Sequence, residues 1–519
     1  MRSFARWPGI CFARGPPRWY IQSRSCIWPM KNTIILPWLA SVFLAILGSK
    51  LALIHLYGSP LPWWDQWAAE GWQLYIPYLD GSLRPGDFFV IHCEHRAVVN
   101  RALSLLTLII NGQWDARLGM VLNAAVTAST GAFLSWAGWK LLEQRNMAAF
   151  CVMNALVFSL PVSWESTVHG LMGNYFLAAF ALGAAWFLTA SDPFRPAWRL
   201  GFLSAFLGLI TLGTGFFGAL AVIGVIALRF LARAARPRLD LAALACLAPL
   251  AAAGFFMRET APGHDAFMPA SAVGLFGAFC RNLAWPATGF APAAAVAWLP
   301  AGLLFLRYLF VRDAARSKYE FVLGFGLWIA LQAAALAFAR YGILASRHAV
   351  ILSLSLPVNF LALLLLLRDT SLPAWARKAL PAVLIAWMAF AGHGLWKASQ
   401  GGCLAEAAVF KQHLSRCEDN VRAFLTTDDI SCLENKAQYD IPFPSPEKLA
   451  LVLRHPGLRK ILPPCVNGAS REGPLSRAAD RLIPLGRAVM AAGFALLVVM
   501  SLHELSMAFF VRPGRGGAA

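Results

Sequence analysis

Between Gly58 and Arg96 the sequence reads GSPLPWWDQWAAEGWQLYIPYLDGSLRPGDFFVIHCEHR, so Asp65, Glu70, Asp80, Asp87 and Glu94 stand in one stretch with His92, His95 and Arg96. Carboxylates and imidazoles can move protons or ligate a metal, and a guanidinium can grip a phosphate. Asp65, in Trp63-Trp64-Asp65-Gln66-Trp67, is flanked by indoles. Such surroundings could raise its pKa and make it a general base, or let it help hold a divalent metal. The plainer reading is a helix cap beside Trp64 and Trp67, anchoring side chains at a membrane surface. In His92-Cys93-Glu94-His95-Arg96, a helical spacing places His92 and His95 on one face, with Arg96 at i+4 from His92. That group could bind metal or clamp a phosphate through Arg96; alternatively, Glu94 braces the loop against Arg96 or Arg101. Asp65, Glu94 and His95 are therefore the candidate ligands of a divalent metal whose identity the sequence leaves unknown.

Further along, Ser163-Trp164-Glu165-Ser166-Thr167-Val168-His169-Gly170 carries a single acid between apolar runs. Arg347-His348 opens another apolar run, where an arginine could hold a lipid phosphate or merely snorkel to the interface. Thr211-Leu212-Gly213-Thr214-Gly215 is glycine-rich but has neither the strand context nor the lysine of a nucleotide loop. It reads as a tight turn where two backbones approach closely.

The elements that must position these groups follow from composition. Of 519 residues 58% are hydrophobic and only 14% charged, and the mean hydropathy is +0.58. A soluble domain carries about 25% charged residues. Apolar runs long enough to cross a bilayer recur down the chain, and in hydrocarbon a helix alone satisfies its own backbone. The fold class is all-α and polytopic, with about 12 transmembrane helices near 34–57, 119–139, 148–162, 172–190, 200–212, 215–231, 239–257, 292–311, 319–339, 349–367, 379–396 and 484–511. The net charge of +19 comes from Lys and Arg in short loops, not from a basic stripe or a nucleic-acid module, which argues against nucleic acid as a partner. Arg229, Arg233, Arg236 and Arg238 mark one inside loop, Arg307, Arg312, Arg316 and Lys318 a second, and Arg368, Arg377 and Lys378 a third. Arg14, Arg18, Arg24 and Lys31 place the N-terminal flank inside as well. Both termini are then cytoplasmic, and 58–118, 163–171, 212–215, 258–291, 340–348 and 397–483 face out. Residues 97–111 are expected to dip into the bilayer without crossing it, since a crossing would invert the Arg-rich loops.

Residues 1–33 form a tail without burial periodicity, and Met30-Lys31-Asn32 would give a short basic leader, so Met30 is the expected start. Residues 34–396 are the transmembrane domain, 397–483 a small outer domain, and 484–519 the last helix and its tail. The outer block holds Cys403, Cys417, Cys432 and Cys465, an even set on the oxidising side; two disulfides are expected, and three pairings are open. Zinc is disfavoured there, because neither a CxxC pair nor a histidine cluster accompanies them.

Taken together, a first span, a long outer loop with an early carboxylate, many further spans and a late outer domain resemble the GT-C class of membrane glycosyltransferases. More specifically, the chain is similar to a group of bacterial GT-C-like proteins in three elements. Asp65-Gln66-Trp67 is followed by His92-Cys93-Glu94-His95-Arg96, where the group tends to show an HNEHR-like string. Trp164-Glu165 with His169-Gly170 stands where it tends toward tryptophan-Glu-Asn and tryptophan-Gly, and Arg347-His348 where it often has Arg-Tyr. Cys93, Ser166 and His348 depart from those patterns. The resemblance implies transfer of a sugar from a polyprenyl-phosphate donor to a cell-envelope glycan, lipid or protein acceptor, at the outer face of a bacterial inner membrane. Asp65 would be the base, with Glu94, His95 and Glu165 orienting acceptor or metal. Arg96, Arg347, His92, His348, Trp64 and Trp67 would bind substrate. A transporter or flippase of lipid-linked saccharide, or a non-catalytic envelope assembly protein, are the alternatives. Convergence of Asp65, Glu94, Glu165 and Arg347 on one cavity discriminates the enzyme from the scaffold.

Overall fold

A computed structural model describes residues 35–144, 146–259, 263–310, 316–400 and 402–510. The tail with Met30, Arg312 and the final Arg512-Pro513-Gly514-Arg515 lie outside the described residues. Those described form helices and turns without a strand; the one bridge is the isolated pair His92–His95. Among them, nine helices are long and apolar enough to cross a membrane, so the chain is a polytopic membrane protein. The remaining expected spans are also helical but short: Pro196–Leu209, Phe217–Leu231 and Leu299–Phe310, of 14, 15 and 12 residues. A perpendicular crossing takes about 20 residues. Val98–Asn111, the segment expected to dip without crossing, is likewise only 14 residues, with Arg101 and Ser104 on its buried face.

At the centre stands Ser355–Leu367, buried on every side from Ser355 to Leu366. Its all-round apolarity is that of a helix surrounded by other helices rather than by lipid or water. The bundle closes where the first helix, Ile35–Tyr57, meets the last, Gly486–Phe510. The approach is so close that a Cβ on Gly48 would lie 2.1 Å from the Met490 backbone nitrogen, and one on Gly493 2.2 Å from that of Ala45. Small residues are what allow helices to dock at this range without help from the hydrophobic effect.

The two ends of the bundle differ in kind. The basic loops meet at one end. There Arg229 donates to Glu320 (3.0 and 2.7 Å) and to Asp240 (2.7 Å), all three buried, and the Tyr308 hydroxyl donates to Glu320 (3.0 Å). At the other end, the segment after the first helix folds against residues 403–466. Leu61, Trp63, Trp67, Leu74, Tyr75 and Trp114 share one apolar core with Leu414, Val421, Phe424, Leu449, Leu453 and Leu462. The two pieces thus pool their apolar side chains in a single core.

The shared core also explains a correction. Cys403, Cys417, Cys432 and Cys465 are all free thiols, not disulfides. Cys417 lies on the apolar stripe of Cys403–Thr427 with Ala407, Leu414, Val421 and Phe424, and its thiol donates to the Tyr439 carbonyl. Cys403 donates to the Ala398 carbonyl, and Cys432 lies 3.6 Å from the Thr427 hydroxyl. Burial pushes the Cys465 thiol up to about 12. These are side chains used for packing, as free cysteines usually are.

Candidate functional site

Asp65 is presented by a backbone that turns sharply after the first helix. Trp64 is left-handed (φ 46°), and its N–H donates to the Pro442 carbonyl (2.7 Å), which docks the turn onto the 403–466 layer. The Asp65 carboxylate is 75% exposed, and its Oδ1 lies 3.5 Å from His92 Nε2, an ion-pair distance without hydrogen-bond geometry. The neighbouring imidazole holds the Asp65 carboxyl below the usual carboxylate range, with burial working against it. The raised pKa expected from the flanking indoles is thus reversed. Burial alone would lower His92, but Asp65 and then Cys93 beside it outweigh that and push it up to about 9.

His92 and His95 do not share a helix face. They close a tight turn, each N–H donating to the other's carbonyl (2.8 and 2.9 Å), with Cys93 left-handed (φ 54°) at its tip. This sends successive side chains in different directions. Glu94 accepts from Arg340 (3.1 and 3.4 Å), and His95 Nδ1 accepts from the Gly213 N–H (3.2 Å). Gly213 must be glycine, since a Cβ there would stand 2.7 Å from the Glu94 carbonyl oxygen. Close backbone approach was the expectation for 211–215, and this is its purpose. Burial lowers the His95 imidazole, with Glu94 opposing.

A second arm comes from the segment after Met147–Ser159. Glu165 accepts the Arg347 guanidinium and the Arg347 N–H (3.3 Å), while its own N–H donates to Ser346 Oγ (3.2 Å). His348 Nδ1 accepts the Ala345 N–H (3.1 Å), which fixes the ring. His169 joins the two arms: it lies within electrostatic reach of Asp65, Glu165 and Arg347, and stacks on Trp63 at 6.5 Å. Burial pushes its imidazole down to about 4. His348 in turn feels both Arg347 and Arg340. Asp65, His92, His95, Glu94, Arg340, His348, Arg347, Glu165 and His169 thus form one connected assembly, drawn from four stretches distant in the chain.

The expected residues divide as follows. Asp65, His92, Glu94, His95, Glu165, Arg347 and His348 come together. Arg96 does not: it is turned away, donating to the Met257 carbonyl (3.0 Å). Trp67 is a core residue, 1% exposed, with Nε1 donating to the Pro62 carbonyl (2.8 Å). Trp64 stays at the rim, its ring 5.8 Å from Tyr439 and its Nε1 buried without a partner. His92 and His169 also keep an Nε2 without a hydrogen-bond partner. Buried polar atoms are nearly always satisfied, so these three nitrogens are left to water or to a ligand. Arg340 is the residue that sequence reasoning missed. Its place was the available signal, since Arg340 opens the 340–348 segment expected to face out. Arg101, read only as a possible partner of Glu94, is instead the post behind the turn. It is 1% exposed and donates to the Phe88 (3.2 Å) and Arg96 (3.1 Å) carbonyls.

For a metal, the donors that lie together among the described residues are Asp65, His92 and Cys93, all within 4.8 Å of one another. Of the expected set, Glu94 and His95 are engaged with Arg340 and Gly213. An oxygen, a nitrogen and a sulfur are donor types that a zinc-like ion takes. Comparison of the chain with protein-family models, curated proteins and solved structures gives no match.

Proposed function

We propose that this assembly transfers a sugar from a polyprenyl-phosphate donor to an acceptor hydroxyl at the outer face of a bacterial inner membrane, in a GT-C-like arrangement of twelve spans with both termini inside. The observation that carries the reading is the convergence of Asp65, Glu94, Glu165 and Arg347 with four histidines at the end of the bundle opposite the basic loops. Transfer needs a carboxylate at the acceptor and cations at the departing phosphate. Asp65, ionised at neutral pH beside a protonated His92, takes the acceptor proton. Arg347, 40% exposed while still tied to Glu165, and Arg340, tied to Glu94, are the cations that face the phosphate leaving group. Asp65, His92 and Cys93 would instead hold a metal only if His92 gave up its proton, and the ion would then supply Lewis-acid stabilisation of the phosphate in place of the base at Asp65. The test is reconstitution in liposomes with a panel of polyprenyl-phosphate sugars. Consumption of one of them, abolished by Asp65→Asn with unchanged thermal stability, supports the reading. Full turnover by the variant, or no donor consumed by the wild type, sinks it.

A further inference from the structure

Beside Asp65 three aromatic rings converge from segments far apart in the chain: Trp63 and Trp64 from the turn after the first helix, and Tyr439 from the 403–466 layer. The Tyr439 ring lies 6.3 Å from that of Trp63 and 5.8 Å from that of Trp64, with interplanar angles of only 28° and 31°. Trp63 is the buried backing, met edge-on by Phe410 at 5.1 Å. Trp64 is half-buried and Tyr439 is 46% exposed. Both are anchored through the backbone: the Trp64 N–H donates to the Pro442 carbonyl (2.7 Å), and the Tyr439 carbonyl accepts the Cys417 thiol (3.3 Å). Neither residue belongs to a helix of membrane-crossing length, so their exposure is not that of a lipid-facing span.

The surroundings of these rings select among occupants. Asp65 follows Trp64 in the chain, and Asp440 follows Tyr439. Each carboxylate already has a cation beside it. Asp65 stands 3.5 Å from His92, and Asp440 accepts from Arg416 (3.3 and 3.4 Å) with His413 Nδ1 at 2.7 Å. Neither therefore offers an uncompensated charge to an ionic ligand, yet both keep lone pairs for hydrogen-bond donors. An acyl chain laid here would desolvate those groups without replacing their partners. A pyranose suits both parts of the surface. Its C–H face carries slightly positive hydrogens that fit the negative face of an aromatic ring, and its hydroxyl rim both donates and accepts.

We propose that Trp64 and Tyr439, backed by Trp63, form a stacking platform for a neutral saccharide, and that this saccharide is the acceptor. A sugar stacked there brings its hydroxyls to the side of the platform that carries Asp65. The role as acceptor rests on the transfer reading above; the binding of a saccharide does not.

The test is saturation-transfer difference NMR on the full-length protein in a phosphocholine detergent, which has no sugar headgroup. The probes are maltohexaose, isomaltohexaose, mannohexaose and chitohexaose, with no donor present. At least one probe should take up saturation on its ring C–H protons, with the wild type and with Tyr439→Phe alike. Tyr439→Leu keeps apolar bulk but has no π face, and should bind that probe roughly tenfold more weakly. Saturation of none of the four, or equal affinity in Tyr439→Leu, overturns the proposal. Because donor is absent, the two readings fail separately. A bound probe with no polyprenyl-phosphate sugar consumed keeps the platform and removes the transfer reading. Donor consumed with no probe bound keeps the transfer reading and removes the saccharide platform.

Discussion

His169 gives the assembly a measurable acid limit. Its imidazole is held at about 4, chiefly by burial, against an ordinary value near 6.5. Between those values the unfolded chain binds a proton that the folded chain refuses, so stability falls as pH drops from about 6.5 to 4. A shift of about 2.5 pH units at 1.36 kcal/mol each, less the half-protonation at the lower end, comes to about 3 kcal/mol at pH 4. His169→Gln keeps a polar side chain that does not titrate and should remove that loss. The assay is the unfolding midpoint of detergent-solubilised protein at pH 7 and pH 4, wild type against variant. The gap between the two proteins should change by several degrees in favour of the variant at pH 4, because other acid-labile groups such as His95 act on both alike. A gap of equal size at both pH values would refute the claim that His169 is buried and neutral.

Other perturbations probe the same region. Gly213→Ala drives a methyl to within 2.7 Å of the Glu94 carbonyl and should displace the His92–His95 turn, costing about 1–3 kcal/mol, read as a lowered unfolding midpoint; a neutral substitution would mean the turn is not fixed by this contact. Co²⁺ added to metal-free protein should develop a thiolate charge-transfer band that Cys93→Ser abolishes, whereas a band that persists would place the ion elsewhere. Denaturing alkylation without reductant should label Cys403, Cys417, Cys432 and Cys465 completely, and any pair protected until reductant is added would contradict their assignment as free thiols.

The helices were largely legible because hydrocarbon leaves an apolar run almost no other choice, and every expected span is helical where described. The segments expected on one side do meet at one end, as contacts such as Glu94–Arg340 and His95–Gly213 show. What the sequence could not yield was the choice of partner. Glu94 has Arg96 and Arg101 close by in the chain, yet the turn at Cys93 aims it at Arg340, a tertiary outcome that spacing does not encode. The helical reading of 92–96 failed for the same local reason, since a left-handed residue breaks the i, i+3 face. The cysteines misled through compartment reasoning. The spacing of Ala407, Leu414, Cys417, Val421 and Phe424 already marked Cys417 as one position on an apolar stripe. That the stripe is covered by the loop after the first helix is a long-range fact.

The seam between the first and last helices bears on how the protein is made. Gly48 packs on Met490 and Gly493 on Ala45, yet these partners stand near opposite ends of the sequence. At about 5–20 residues per second, a ribosome needs on the order of a minute to travel from one to the other. Throughout that interval the face of the first helix around Ala45, Gly48 and Ala52 has nothing to dock against but lipid or the insertion machinery. The final helix is therefore a clasp: the seam with the first helix cannot form until synthesis has passed Gly486.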